Sequence, residues 1–320
     1  MHFMDVRIDF SKDYLDIIYE KLKAVGWQGA RDDKNIDIRF SNFQRRYVVA
    51  KKRKIFISRQ LKCPAYLKSA YQAILEKITS GESIVPHLSR YLKDPDYNDL
   101  FLNDWGIHHL HLSTDIEDDG FTSRTGPVLL VVFGEDYALI IDVRMHGPEN
   151  PDLWVQEDIL EIIRINWPAW LEPLRLRGML PAENRSRKDR KKIRRGSVNT
   201  FLTLSDGKSY MGPGMGITSA GTSTQATMSA DKIRYAIRTF ENNLNADPLG
   251  YKRKFWGDYR RWPAMMTVRL CCVGENYYAV AENSGTILGV YVPWEVHMSD
   301  AERCHMRVMS ASASSIHIFG

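Results

Sequence analysis

Three of the nine histidines fall within four positions, in the stretch Asp104-Trp105-Gly106-Ile107-His108-His109-Leu110-His111-Leu112-Ser113. Imidazole is the side chain whose unperturbed pKa, about 6.5, lets it take or give a proton near neutrality. Read as a strand, with alternate side chains on opposite faces, Ile107, His109 and His111 share one side, and His108, Leu110 and Leu112 the other. A second alternating run puts Asp142, Arg144 and His146 on one side and Leu139, Ile141, Val143 and Met145 on the other. If the two runs neighbour each other in a sheet, the side apolar in both packs on a helix. The side with His109, His111, Asp142, Arg144 and His146 is then left polar and concave.

Such a face has the parts for cleaving RNA without a metal. A base takes the proton of the 2′-hydroxyl, an acid protonates the departing 5′-oxygen, and a cation stabilises the charge gathering on phosphorus. The spacing nominates His111 and His146 as the acid–base pair, with Arg144, or Arg124 from the preceding loop, as the cation. His109 and Asp142 complete the site, and this reading calls for no metal and no cofactor. A rival reading makes His109 and His111, with Asp142 or His146, the three nitrogen and oxygen ligands of a catalytic zinc or manganese ion. In a third, the histidines hydrogen-bond inside a domain interface while Trp105 and Trp167 pack. The chain is then a non-catalytic nucleic-acid-binding or assembly subunit.

The charge distribution bears on the partner. Between Arg45 and Lys62 there are eight basic residues and no acid, among them Arg45, Arg46, Lys51, Lys52, Arg53 and Lys54. Between Arg185 and Arg195 there are eight basic residues and one acid, including Lys188, Arg190, Lys191, Lys192, Arg194 and Arg195. Outside these stretches the chain is net acidic, although its overall charge is +5. Concentrated basic stretches on an otherwise acidic chain point to a polyanion, RNA first. From Tyr251 to Trp262 aromatic and basic residues interleave, including Trp256, Arg260 and Arg261. A single-stranded groove uses that mixture for stacking and phosphate contact, and an aromatic domain edge capped by cations has it too.

These residues need elements to position them. Val6, Ile8 and Phe10 suggest a strand; Ser11 reads as the cap of a helix with Leu15, Ile18, Leu22 and Val25 on one stripe. The segments 35–43 and 46–58 read as strands. A helix follows Pro64, carries Leu67, Ala70, Tyr71, Ile74 and Ile78, and stops at Gly81. The runs 128–133 and 137–143 flank Gly134-Glu135-Asp136 as a hairpin, and residues 158–167 form a covering helix. The span 181–196, polar and basic, reads as a linker. Strands over 198–204, 267–273, 277–281, 286–292 and 315–319, and a helix capped by Ser229, complete the chain. The glycine-rich stretch at 212–216 lacks phosphate-loop spacing and reads as a mobile loop.

The expected architecture is α+β: a basic module over 1–95, a histidine-bearing sheet with its helix over 96–180, the basic linker 181–196, and a C-terminal antiparallel sheet over 197–320. Hydrophobic residues at 44% suffice for real cores in a chain of 320 residues. No signal peptide or membrane-length apolar run is evident, so a cytoplasmic protein is expected. The cysteines Cys63, Cys271, Cys272 and Cys304 lack metal spacing and are expected to be reduced.

The region 104–167 carries a His-bearing strand, Trp105-Gly106-Ile107-His108-His109-Leu110-His111, and a hairpin strand, Asp142-Val143-Arg144-Met145-His146. With its covering helix it resembles the small-sheet RNase toxins of the barnase–EndoU–colicin–RelE superfamily. The likeness is one of arrangement and covers about 65 residues. It implies an endoribonuclease in a bacterial toxin or anti-phage defence setting, with an inhibitory or activating protein partner.

Overall fold

The structure, a computed structural model, describes residues 5–147, 150, 152–178, 185–247, 265–274, 276–282 and 285–291. In order, its strands and α-helices are β1 (Asp5–Ile8), α1 (Phe10–Ala24), α2 (Ile36–Arg46), β2 (Lys54–Ile57), α3 (Lys68–Ser80), α4 (Leu100–Trp105), β3 (His108–His111), β4 (Pro127–Phe133) and β5 (Tyr137–Met145). There follow α5 (Asp158–Asn166), α6 (Pro168–Leu171), α7 (Arg187–Arg195), β6 (Leu202–Thr203), β7 (Ser209–Tyr210), α8 (Thr224–Ala246), β8 (Met265–Val273), β9 (Asn276–Ala281) and β10 (Thr286–Tyr291). The fold is α+β, as composition and pattern require. Contacts divide it into two units, 1–37 with 229–320, and 38–228. The boundaries expected near 95 and within 181–196 both fall inside the second unit.

The first unit is built on a sheet of order β1-β8-β9-β10, in which β1 runs parallel to β8 and the rest are antiparallel. Helix α1 buries Phe10, Tyr14, Ile18 and Leu22, spaced four apart so that they line one face. Its cap is Asp9, which accepts from the Lys12 N–H, rather than Ser11. The expected strand 315–319, Cys304, and the aromatic-basic residues Trp256, Arg260 and Arg261 lie outside the described residues.

The second unit holds the histidines. Its sheet has the order β2-β5-β4-β3; β2 joins β5 in parallel, and the hairpin β4–β5 and the β3–β4 pair are antiparallel. Both faces are buried. One packs Ile107, Val128, Leu130, Val132, Leu139 and Ile141 against Ile159, Leu160 and Ile163 of α5. The other packs Leu110, Leu129, Val131 and Ile140 against Ile74 and Ile78 of α3. The polar, concave face expected from alternation is therefore corrected: the histidines share their side of the sheet with an apolar core.

The alternation itself breaks once. A register shift on β5 leaves Leu130 opposite Asp142 and Val131 opposite Ile140, so Ile141 is an extra residue, a bulge. Leu139 and Ile141 consequently belong to the core on the α5 side while Val143 packs on the α3 side, not with them as simple period-2 reading has it.

Five further readings change. Residues 35–43 form helix α2 instead of a strand, because Ile36 and Phe40 are also four apart and bury together on one face. Of 46–58, only β2 is strand. The basic linker contains helix α7, capped by Ser186, whose hydroxyl oxygen accepts from the Asp189 N–H at 3.1 Å. Its buried stripe is Arg190 and Arg194, four apart, where an apolar pair is usual. Downstream, strand 198–204 contracts to β6, and α8 starts at Thr224 instead of after Ser229.

Candidate functional site

Helix α4 delivers the chain into β3. Asp99 caps its start by accepting from the Leu102 N–H at 3.0 Å. Gly106 ends it at φ 65°, a left-handed conformation that glycine adopts without strain, and the strand begins two residues later. As the edge strand, β3 has only β4 beside it in the sheet. On the open side the His87 Nδ1–H donates to the His111 carbonyl at 3.1 Å, leaving Nε2 to accept from the Lys77 ammonium at 3.3 Å. His87 is thus a cap on the strand edge.

Register sets the site. His109, Leu130 and Asp142 form one row across β3, β4 and β5, and His111, Val128 and Arg144 form the next. His146 follows β5 and is anchored by its N–H to the Gly126 carbonyl at 2.7 Å. The three rings converge: centroids are 4.9 Å apart for His109–His146, 6.2 Å for His109–His111 and 6.3 Å for His111–His146. His109 and His111 are buried to 9% and 7% exposure. His109 Nδ1 lies 3.9 Å from an Asp99 oxygen, and His111 Nδ1 is buried without a hydrogen-bond partner among the described residues. Beside His109 opens a cleft of about 310 Å³ lined by Leu88, Ser89, Leu92, Tyr97 and Asp99.

Burial holds His111 and His146 neutral. His111 is lowered to about 4, first by burial and then by repulsion from His109, His146 and Arg124. His146 is lowered to about 4 by burial, then by His109 and Arg124, with Asp99 opposing. His108, on the opposite face, is also lowered to about 4 by burial. Its Nε2–H donates to the Arg45 carbonyl at 3.1 Å and its ring meets Phe133 edge-on, so it is a packing residue.

Of the two cations nominated, Arg144 is held by carboxylates on both sides, Asp142 at 2.7 Å and Asp158 at 2.9 Å. Asp142 is itself occupied by Arg144 and by the Lys62 and Val143 N–H groups. That pair braces the site. Arg124 is exposed on the loop before β4, its guanidinium 5.8 Å from the Tyr91 ring, and its charge is felt by both His111 and His146. Asp99 went unread in the sequence; its signal was a cap residue directly before Leu100-Phe101-Leu102.

The basic residues divide sharply. The Arg45 guanidinium donates to Asn103, Ser223 and Gln225, and its burial lowers it to about 10. Arg46 donates to the carbonyls of Asn42, Tyr91 and Asp94, and Arg53 to those of Gly134 and Val49. Arg190 and Arg194 are buried at 4% and 6% exposure. A guanidinium buried in this way holds neighbouring side chains or backbone and does not present itself to a phosphate strand. Lys51 pairs with Asp136 and Glu135, and Lys191 with Asp152. Lys52, Lys54, Lys188, Lys192 and Arg195 remain exposed.

No protein-family model, curated protein or solved structure matches the chain. The likeness to the RNase toxins therefore rests on the residues quoted for it. Among the described residues, no group of three or more His, Cys, Asp or Glu side chains is close enough to hold a metal ion, and no helix is long and apolar enough to cross a membrane.

Proposed function

We propose that the protein is a metal-independent endoribonuclease, of the kind used as a bacterial toxin or in anti-phage defence, cleaving RNA by histidine acid–base transphosphorylation. The observation that carries this reading is the convergence of His109, His111 and His146 from two strands separated by β4. The His111 and His146 rings stand 6.3 Å apart, and the reading places one phosphoryl group between them. One ring takes the 2′-hydroxyl proton, the other protonates the leaving 5′-oxygen, and Arg124 supplies the cation. Of the basic residues nominated for the polymer, Lys52, Lys54, Lys188, Lys192 and Arg195 are exposed and serve to hold it.

The test is purified protein with total cellular RNA, with and without chelator, followed by end-group analysis. Cleavage in chelator that leaves 2′,3′-cyclic phosphate supports the reading. The rival reading is a metal-dependent phosphoesterase, which has in its favour only the buried, unpartnered Nδ1 of His111, a nitrogen of the kind a zinc-type ion takes, since the described residues bring no three ligands together. Cleavage abolished by chelator and restored by zinc or manganese supports that instead. Intact RNA under every condition leaves a non-catalytic nucleic-acid-binding or assembly role.

A pH dependence follows. In the free protein both His111 and His146 lie about 4, so at neutrality a base is present and the acid lacks its proton. A phosphate seated between them favours the imidazolium against the burial and repulsion that lowered both rings, and draws a proton in. Since kcat/KM reports the free protein and kcat the complex, the optimum of kcat/KM is expected on the acid side of the optimum of kcat. Coincident optima near neutrality would count against this pair.

A further inference from the structure

A second cavity, sharing no lining residue with the histidine cluster, lies where the end of α4, helix α7 and the 211–216 segment meet. It encloses about 440 Å³, the open solvent at its mouth included. Trp105, Trp154, Met211 and Met215 supply apolar wall, and Arg190 and Arg194 supply charge.

The two arginines are incompletely satisfied. Arg194 gives its Nε–H to Asp104 at 2.6 Å, while Nη1 and Nη2 are buried and meet no acceptor among the described residues. Arg190 places Nη1 on the Arg185 carbonyl and Nη2 on that of Val155 beside Glu157, and its Nε is likewise buried without a partner. Both residues are more than nine-tenths buried. Buried charged donors without acceptors are costly, so each calls for a partner. With Asp104 clamping the Nε edge of Arg194, the remaining two nitrogens form the parallel fork that takes two oxygens of one planar or tetrahedral anion.

The opposite wall is fixed. Gly214 donates to the Asp104 carbonyl at 3.1 Å and Gly216 to the Asn103 carbonyl at 2.7 Å. A Cβ on Gly212 would stand 2.2 Å from the Asp104 oxygen, so only glycine lets this backbone lie on the helix end. The segment read as a mobile loop is hydrogen-bonded onto α4 and shapes the cavity.

We propose that this cavity binds a small organic anion, a phosphate or carboxylate group attached to an apolar or planar body. The head sits on the Arg194 fork beside Arg190 Nε, and the body lies against the tryptophans and methionines. Asp104 and Arg194 face each other from α4 and α7, so the bound anion is a clamp between the helix that precedes β3 and the helix that follows the catalytic sheet.

The full chain is titrated calorimetrically with inorganic phosphate, adenosine 5′-monophosphate, benzoate and, as an uncharged control, adenosine. Binding of one or more anions but not of adenosine is expected. Phosphate and the monophosphate without benzoate would mark a phosphate site, and benzoate alone a carboxylate site. Arg194→Lys keeps the charge and removes the fork, and is expected to weaken binding by about tenfold or more; His111→Ala is expected to leave it unchanged. If Arg194→Lys misfolds, hydrogen exchange of the unaltered protein decides, with ligand protection expected over 187–195 and 211–216. No binding at millimolar probe, binding indifferent to Arg194→Lys, or protection confined to 108–111 overturns the proposal.

Discussion

If the protein cleaves RNA as proposed, replacing His111 or His146 by alanine is expected to lower the rate by ~10²- to 10⁴-fold, the usual cost of losing a general acid or base. Fold and RNA affinity are expected to stay intact in both variants. Arg124→Ala lowers the rate as well, because the exposed Arg124 is the cation whose charge reaches both rings. His109→Ala behaves differently. It removes the neighbour whose repulsion lowers His111 and His146, so the optimum of kcat/KM moves toward neutral pH while a catalytic rate persists. Arg144→Lys exposes the bracing role: it breaks the planar fork between Asp142 and Asp158 and shows first as lost stability. Single-turnover rates with each variant's circular dichroism separate the two kinds of effect. Undiminished cleavage in the His111→Ala, His146→Ala double variant would place the active site elsewhere.

The protein loses stability steeply as pH falls from about 6.5 to about 4. His108, His111 and His146 are each held near 4 in the fold and return to about 6.5 on unfolding. Above 6.5 both states are neutral and nothing changes. Below it the unfolded chain takes up protons first, so each buried histidine subtracts stability with a slope approaching ~1.4 kcal/mol per pH unit, levelling off near 4. His108 and His111, the more deeply enclosed, contribute most, and His146 contributes less. Asp104 acts in the opposite sense. Burial raises it to about 6 against the pull of Arg194, so below 6 the folded state gains a proton before the unfolded one and offsets part of the loss. Urea midpoints measured from pH 7 to 4 are expected to fall, less steeply in His108→Gln and more steeply in Asp104→Asn. A midpoint constant over that window would remove the electrostatic account of the cluster.

Much of the local structure was legible. The spacing of α3, the Gly134 hairpin and the Ile159-Ile163 stripe of α5 each report how neighbouring residues bury together, and they folded as read. In α1 only Ile18 and Leu22 of the expected stripe are buried, joined by Phe10 and Tyr14, while Leu15 is exposed. Where two periods coincide, local pattern has no power to choose. Ile36, Ile38 and Phe40 alternate like a strand, while Ile36 and Phe40 also fit a helix, and burial of the helical stripe prevailed. Helix α7 was missed because its buried stripe is guanidinium, which composition assigns to water.

By itself the amino-acid order determined that His109 and His111 point the same way and that Asp142, Arg144 and His146 alternate together, since strand geometry repeats every two residues. Tertiary structure decided the rest. The insertion of β2 beside β5, the bulge at Ile141 and the two apolar covers come from pairings between distant segments. Those pairings brought His146 to His109, tied Arg144 to Asp158, and closed Arg190 and Arg194 into a cavity. A side chain's direction is a local property of the backbone. Whether its charge is free, paired or buried depends on which remote residues fold against it.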